Sequence, residues 1–340
     1  MSKQKVELLS PAGNLEKLKI AIKYGADAVY GGVSHFSLRI RASKEFTFET
    51  FKEGIDYAHE RGKKVYATIN GFPFNSQIEL LKTHIKKMAE LKPDAFIVAA
   101  PGVVRLCREI APQIDMHLST RANVLNYLDA QVFWDMGVKR IVVAREISLK
   151  DVMEIKKHLP DMEIEIFVHG SMCFAYSGRC LISAVQMGRV PNRGSCANDC
   201  RFEYTLYAGN DEHGSLFRLE EEPGVGTYIF NSKDMNLASH IQEILDSGAV
   251  DSLKIEGRTK SPYYAAVTAK AYREAIDDYY AGKFEPEKYQ KELHTTKNRG
   301  FTDAYLIHKP FEKTDSQNHD YALSKGSYEV TGLVTEDEDH

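Results

Sequence analysis

The sequence predicts an α/β chain built around a (β/α)8, TIM-barrel-like domain, on three observations. Short β-rich runs and amphipathic helices alternate from residue 6 to about 256, the pattern of a parallel sheet with covering helices. The alternation shows no composition break over that span, which favours a closed barrel over an open doubly wound sheet. Polar residues follow the runs, and in a barrel the strand ends converge on one face.

The β-rich runs are 7–10, 28–31, 64–69, 95–99, 115–118, 140–144 and 163–168, then, after an interruption, 227–230 and 252–255. Nine candidates exceed the eight of a barrel, so one must lie outside it. Helices are expected over 48–60, with Phe51, Ile55, Tyr57 and Ala58 on one side, and over 77–91, with Leu80, Leu81, Ile85 and Met88 at helical spacing. Segments 129–136, 238–245 and 263–280 follow the same habit, the last ended by Gly282. Residues 1–282 therefore read as the barrel domain, with a Gly-, Cys- and Arg-rich insertion over 169–226. Long irregular loops inside compact domains usually carry function. Residues 283–340 read as a C-terminal extension, and the strand-like stretch 328–334 as the start of a truncated or absent β-module.

Composition narrows the functional classes. The chain has 340 residues, 23 Gly and 11 Pro, with 43% hydrophobic and 27% charged residues, which excludes a disordered chain. With 44 basic and 48 acidic residues the net charge is −4, so no global basic field of a nucleic-acid coat exists. The first nine residues are charged, without an apolar run of signal-peptide length. The longest weakly polar stretch, 95–104, is broken by Pro101 and Gly102. A cytoplasmic location is expected, with no membrane contact. A reducing cytosol turns attention to the cysteines. Cys107 sits alone in a helical pattern and reads as core, while Cys173, Cys180, Cys196 and Cys200 fall in one stretch and point to a metal.

The thiol spacing is Cys173-x6-Cys180-x15-Cys196-x3-Cys200. Structural zinc prefers pairs two to four residues apart, which only the second pair approaches. The wider loop suits a bulkier [4Fe–4S] cubane, with zinc or unliganded thiols as alternatives. Arg179, Arg189, Arg193 and Arg201 surround the thiols and would offset an anionic cluster. Familiar hydrolase motifs are missing. His59-Glu-Arg-Gly-Lys63 lacks the second zinc histidine, Gly224-Val-Gly226 lacks a third glycine, and there is neither a Gly-x-Ser-x-Gly elbow nor a phosphate loop.

Long stretches carry a resemblance. Glu165-Ile-Phe-Val-His-Gly-Ser-Met-Cys173-Phe-Ala-Tyr-Ser-Gly-Arg-Cys180-Leu-Ile-Ser183, Asn231-Ser-Lys-Asp234, Ser252-Leu-Lys-Ile-Glu-Gly-Arg-Thr-Lys-Ser261-Pro-Tyr-Tyr264, Leu8-Leu-Ser-Pro-Ala-Gly13 and Arg299-Gly-Phe301 resemble the U32 "peptidase" family over nearly the whole chain. Arg193-Gly-Ser-Cys196-Ala-Asn-Asp-Cys200-Arg-Phe-Glu-Tyr204 and Asp315-Ser-Gln-Asn318 resemble its prephenate-dependent tRNA uridine hydroxylases. The resemblance implies an eight-fold barrel, a [4Fe–4S] cluster on the four cysteines, and oxygen-independent formation of 5-hydroxyuridine at the wobble position of a tRNA anticodon loop. Two departures stand out. Ser119-Thr120-Arg121 replaces a more usual Ser-Thr-Gln or Ser-Val-Gln, putting a cation where an amide sat, and the hydroxylases carry a longer C-terminal β-module.

Candidate site residues follow from position and chemistry. Asn, Ser and Asp before helices are ordinary caps, the reading preferred for Ser10, Asn70 and Ser148. Arg145, Glu146, His169, Glu256 and Arg258 are poor caps, so function is expected of them. His169, Glu146 and Glu256 are the candidate catalytic acid–base groups. His117, Arg145, Lys254, Arg258, Lys260 and Tyr176 are the candidate substrate contacts, the cations suiting an anionic donor such as prephenate and Tyr176 or Phe174 a splayed base. A basic patch for RNA is expected from Arg39, Arg41, Lys139, Arg140 and the arginines near the thiols. Against these stand bland readings: Arg145–Glu146 and Glu256–Arg258 as ion pairs, His169 as a packed histidine, and Phe133 and Trp134 as packing groups. Two other functions stay open, a metal-assisted peptidase of collagenase-like description and a non-catalytic barrel that binds RNA or a partner.

Overall fold

The computed structural model describes residues 5–33, 36–37, 46–210, 212, 214–219, 228–303, 305–309, 316–319, 321 and 323–324. Among these, eight parallel strands close a barrel: β1 (Glu7–Pro11), β2 (Ala28–Gly31), β3 (Lys64–Ile69), β4 (Ala95–Val98), β5 (Asp115–Leu118), β6 (Arg140–Val142), β7 (Glu163–Ser171) and, after the insertion, β11 (Ser252–Ile255). Each pairs with the next in sequence, and β11 closes the ring by pairing with both β7 and β1. Helices α1 (Leu15–Lys23), α2 (Phe48–His59), α3 (Ile78–Glu90), α4 (Pro101–Ile110), α5 (Tyr127–Asp135), α6 (Leu149–His158), α8 (Ile241–Asp246) and α9 (Pro262–Tyr280) cover it.

Local chemistry starts these helices. Asn14, Asn126, Ser148 and Ser261 accept hydrogen bonds from backbone N–H groups in the first turn, and Thr47 forms a capping box with Thr50. Pro101 and Pro262 occupy first-turn positions where no donor is needed. Outward strand residues such as Leu8, Val29, Phe96, Ile141 and Leu253 pack against apolar helix faces, including Phe51 and Ile55 of α2, as one core. Burying each such large side chain contributes roughly 1.5–3 kcal/mol. Cys107 is buried in that core, as expected. Phe133 is buried there too, and Trp134 packs against it. A smaller cluster of Leu9, Ala28, Tyr30, Tyr66, Ala95 and Ile97 fills the barrel interior.

The insertion holds short turns, α7 (Ile182–Met187) and a hairpin of β8 (Leu206–Asn210) and β9 (Ser215–Leu219). The surplus strand candidate is 227–230: residues 228–230 are not strand, and residue 227 lies outside the described residues. The segment that does pair is β10 (Asp234–Asn236), antiparallel to the end of β7, with Asn236 opposite His169. Beyond the barrel, α10 (Pro286–Leu293) packs on α9, and β12 (Phe301–Thr302) pairs with β10. The strand expected over 328–334 lies outside the described residues, as do Arg39 and Arg41. No helix among the described residues is long and apolar enough to cross a membrane.

Candidate active site

Strand periodicity builds the pocket. Alternate residues point inward, and the last inward residue of each strand faces the C-terminal mouth. Tyr30, Thr68, Ile97, Val142, Phe167 and Lys254 line a pocket there, and Asn70, Ser119, Arg121, Arg145, Glu146, Glu256 and Arg258, just past the strand ends, complete its wall. One pleat lower lie Tyr66, His117, Arg140 and Glu165.

The floor is ionic. Lys254 Nζ lies 2.7 Å from Glu165, which is fully buried and also 3.2 Å from Arg140. Arg140 in turn pairs with Glu7 and Glu163 at the opposite end of the barrel. Burial pushes the Lys254 amine down, and Glu165 opposes that. The ammonium sits 4.4 Å over the Tyr30 ring, a cation directed at the pocket. Above it, the Arg145 guanidinium stacks 4.0 Å over Phe167 and donates to the Ser171 carbonyl at 2.8 Å, while its buried Nε has no protein partner. Arg258 donates to Ser37 Oγ at 2.7 Å and to Thr68 Oγ1 at 3.1 Å.

Cys173, Cys180, Cys196 and Cys200 line one cavity of about 50 Å³ in the insertion. Among the described residues no three His, Cys, Asp or Glu converge closely enough to grip a single ion. The Ile182 N–H donates to Cys180 Sγ at 3.3 Å and the Asn198 N–H to Cys196 Sγ at 3.4 Å. Asn192 clamps the Cys180 backbone from both sides and accepts from Arg121 Nη1 at 2.7 Å. Arg121, Met172, Cys173, Ala175 and Gly178 line both this cavity and the barrel mouth, so the two share a wall. Four thiols around one small space, two of them accepting backbone N–H bonds, suit a thiolate-held cluster.

The structure gathers Arg145, Glu146, Lys254, Glu256, Arg258 and Cys173 of the expected residues around the mouth, and places the others elsewhere. His117 lies one pleat too deep, buried edge-on against Tyr66 at 4.6 Å. Burial and the charge of Arg140 hold its pKa well below the usual value. His169 points out of the barrel. A bulge between β7 and β11 aligns Lys254 with Phe167 but Ile255 with His169, which re-aims the side chain. It packs among Tyr264, Tyr272 and Phe301, with its pKa lowered by burial to about 3. Lys260, pushed down by burial, lies by the Tyr264 ring, and Tyr176 is half-exposed; neither lines a cavity of the site.

Other expectations change as well. Glu146 makes no ion pair with Arg145. It accepts from the Ser177 N–H at 2.6 Å and Oγ at 3.0 Å, tying the turn between the first two thiols to the barrel. Lys139 pairs with Asp115, and Arg140 is buried at the far end, so neither forms a patch at the mouth. Asn70, expected as a cap, lines the pocket, whereas Ser148 does cap α6. Glu165, which pairs with Lys254 and Arg140 in the floor of the pocket, is the residue that sequence reading missed. Its signal is the charged alternation Glu163, Glu165 in an otherwise apolar run.

The remaining motif residues form a buried knot at the base of the insertion. Arg299 pairs with Asp234 and donates to the Ser232 carbonyl at 2.9 Å. Asn318 donates to the Arg299 carbonyl at 2.8 Å and to Asn231 through its backbone. These residues hold β10 and β12 beside the end of β7.

The chain is 70% identical over 332 residues to "tRNA hydroxylation protein P" of Helicobacter pylori, covering 98% of this chain and 79% of that protein. It is 41% identical to the protein of the same name in Escherichia coli, covering 94% and 78% respectively. To "Collagenase" of Porphyromonas gingivalis it is 31% identical, covering 88% and 73%. The model of "Peptidase family U32" matches residues 13–316, and the chain belongs to that family.

Proposed function

We propose that this protein is a tRNA-modifying enzyme that hydroxylates C5 of the wobble uridine, with a [4Fe–4S] cluster on Cys173, Cys180, Cys196 and Cys200 and an anionic co-substrate such as prephenate at the barrel mouth. The observation that carries the reading is the wall shared by the thiol cavity and the cation-lined pocket, with Cys173 and Arg121 in it. The names of relatives at 70% and 41% identity support RNA hydroxylation. Four thiols lining one small cavity support a thiolate-held group there.

A bound cluster would supply redox or Lewis-acid chemistry that side chains lack, which replacing a ring C–H by C–OH requires. The protein's own groups do the rest. Arg145, with its unpartnered Nε, and Lys254 and Arg258 present cations to carboxylates. Tyr30 and Phe167 wall the pocket with apolar surface that excludes water. Glu256, the carboxylate at the rim not engaged by Ser177, is the proton acceptor of this reading. Glu146 acts through Ser177 as a positioning residue.

Two measurements test it. Anaerobically purified protein is expected to be brown, with about four iron and four sulfide per chain, lost on Cys173→Ser. Wobble nucleosides from a deletion strain, read by mass spectrometry, are expected to lack 5-hydroxyuridine and regain it with the wild-type chain but not with Cys173→Ser. Colourless protein carrying stoichiometric zinc would refute the cofactor assignment, and unchanged 5-hydroxyuridine on deletion, with no second enzyme present, the substrate assignment. The relative named collagenase keeps a peptidase as the second reading. No histidine among the described residues lines the pocket to serve as its general base.

A further inference from the structure

A groove of about 340 Å³ lies beside the thiol cavity, between the loop after β3 and the turn Pro191–Arg193. It shares Gly194 with the thiol cavity and begins at Gly71, next to Asn70 of the mouth pocket. The groove and the thiol cavity thus meet at Gly194, and the loop after β3 runs from the mouth pocket to the groove.

Its chemistry is one-sided. Phe36 and Phe72 supply apolar surface, and Arg189 and Arg193 line it with charge. Phe74, one residue past the lining Pro73 and 59% exposed, carries the Arg193 guanidinium 4.2 Å over its ring, and Arg179 lies 5.9 Å over Phe72. No carboxylate among the described residues lines the groove, and Arg179, Arg189 and Arg193 have no carboxylate within ion-pair distance there. Arg140, Arg273 and Arg299, by contrast, each have at least one. Guanidinium groups left without counter-charge beside aromatic platforms complement a single-stranded phosphodiester with unstacked bases.

We propose that this groove seats the nucleotides flanking the reacting base of an RNA loop, with Arg193 and Arg189 on phosphates and Phe74 stacking one base. The proposal rests on the RNA-acting reading above and adds the path the strand takes. Aromatic rings set beside the guanidinium groups, able to stack unpaired bases, favour RNA over an acidic peptide.

The test is fluorescence anisotropy of a labelled RNA hairpin with an anticodon-sized loop, titrated with the full chain at several salt concentrations. Phe74→Ala, at an exposed position, is expected to weaken binding about tenfold. Arg193→Gln is expected to weaken it and lower the slope of log affinity against log salt by about 0.7, with Arg193→Lys restoring the slope. Arg61→Gln, at the opposite end of the barrel, is expected to change neither. If wild type binds the hairpin and Phe74→Ala and Arg193→Gln bind it equally well, the groove assignment falls while the RNA reading stands. If wild type fails to bind the hairpin, the RNA reading itself falls and takes the groove with it. If a gelatin peptide displaces the RNA from wild type and loses its own binding in Phe74→Ala, the groove is a peptide site and the proposal is overturned.

Discussion

Glu146→Ala asks whether the thiol-bearing insertion is held to the barrel by one carboxylate. Glu146 accepts two hydrogen bonds from Ser177, at 2.6 and 3.0 Å, and Ser177 sits at φ +45° inside the turn Tyr176–Gly178. Hydrogen bonds to a charged group are worth about 1.5–3 kcal/mol each. Glu146 is half-buried, so solvent screening argues for the lower figure and about 3 kcal/mol for the pair. Opening lets Ser177 leave the left-handed region in wild type and variant alike, so that gain cancels in the comparison. The opening equilibrium of the turn should therefore rise at least a hundredfold. Hydrogen exchange read by mass spectrometry over 174–181 would show it as faster exchange of the Ser177 amide, with the barrel amides and Tm nearly unchanged. Glu146→Gln, which keeps an acceptor without charge, should give an intermediate rate. An unchanged Ser177 amide in Glu146→Ala would refute the assignment of Glu146 as the tether, and global unfolding would refute its local character.

Three further perturbations probe the frame of the site. Lys254→Met leaves the buried Glu165 carboxylate one partner short, and urea denaturation should show about 3 kcal/mol of destabilisation, largely recovered by adding Glu165→Gln; a double variant no better than the single would contradict the coupling. His169 is lowered to about 3 by burial, so below pH 6.5 the unfolded chain takes up a proton that the folded one refuses, and stability falls with pH in that window and is flat above it. From pH 6.5 to 5 this contributes about 2 kcal/mol, with His117 acting in the same direction, and His169→Phe, which keeps a ring in the aromatic cage, should flatten the slope. Gly170 has φ +108°, and a Cβ there would lie 2.6 Å from the Glu256 carbonyl, so Gly170→Ala should yield little soluble protein. Gly62→Ala, with φ +66° and open space around it, should cost only about 1 kcal/mol, and equal yields for the two would show the clash to be unimportant.

The barrel was legible because its strands are local. Runs such as Val65 to Ile69 or Ala95 to Val98 are apolar on both faces, the mark of a buried parallel strand, and all eight are found within two or three residues of their ends. The surplus candidate arose because Tyr228, Ile229 and Phe230 have strand composition without a strand's partner. Its neighbour Asp234-Met-Asn236 escaped notice for the opposite reason. Asp and Asn are poor strand formers, and the partner that buries itself against Asp234, Arg299, lies far along the chain.

Depth is what the sequence conceals. A polar residue at a strand end announces itself, but whether it faces the pocket depends on one pleat, and His117 and Ser119 differ by that single step. Alternation from Glu163 through Glu165 and Phe167 points inward and would carry His169 with it, yet the register shift against Ile255 turns that ring outward toward Tyr264 and Tyr272 of α9. The same dependence on distant partners makes Glu165 and Arg121 informative only in three dimensions. Glu165 matters because Lys254 and Arg140 arrive from other strands, and Arg121 because Asn192, from the insertion, draws it to the boundary between the two cavities. The grouping of the cysteines was legible because four thiols fall in one short stretch, which the insertion folds around one cavity. Their neighbours acquire meaning from the wall that sets them against the barrel mouth, and a group on the thiols would be in reach of a substrate only while that wall keeps its place.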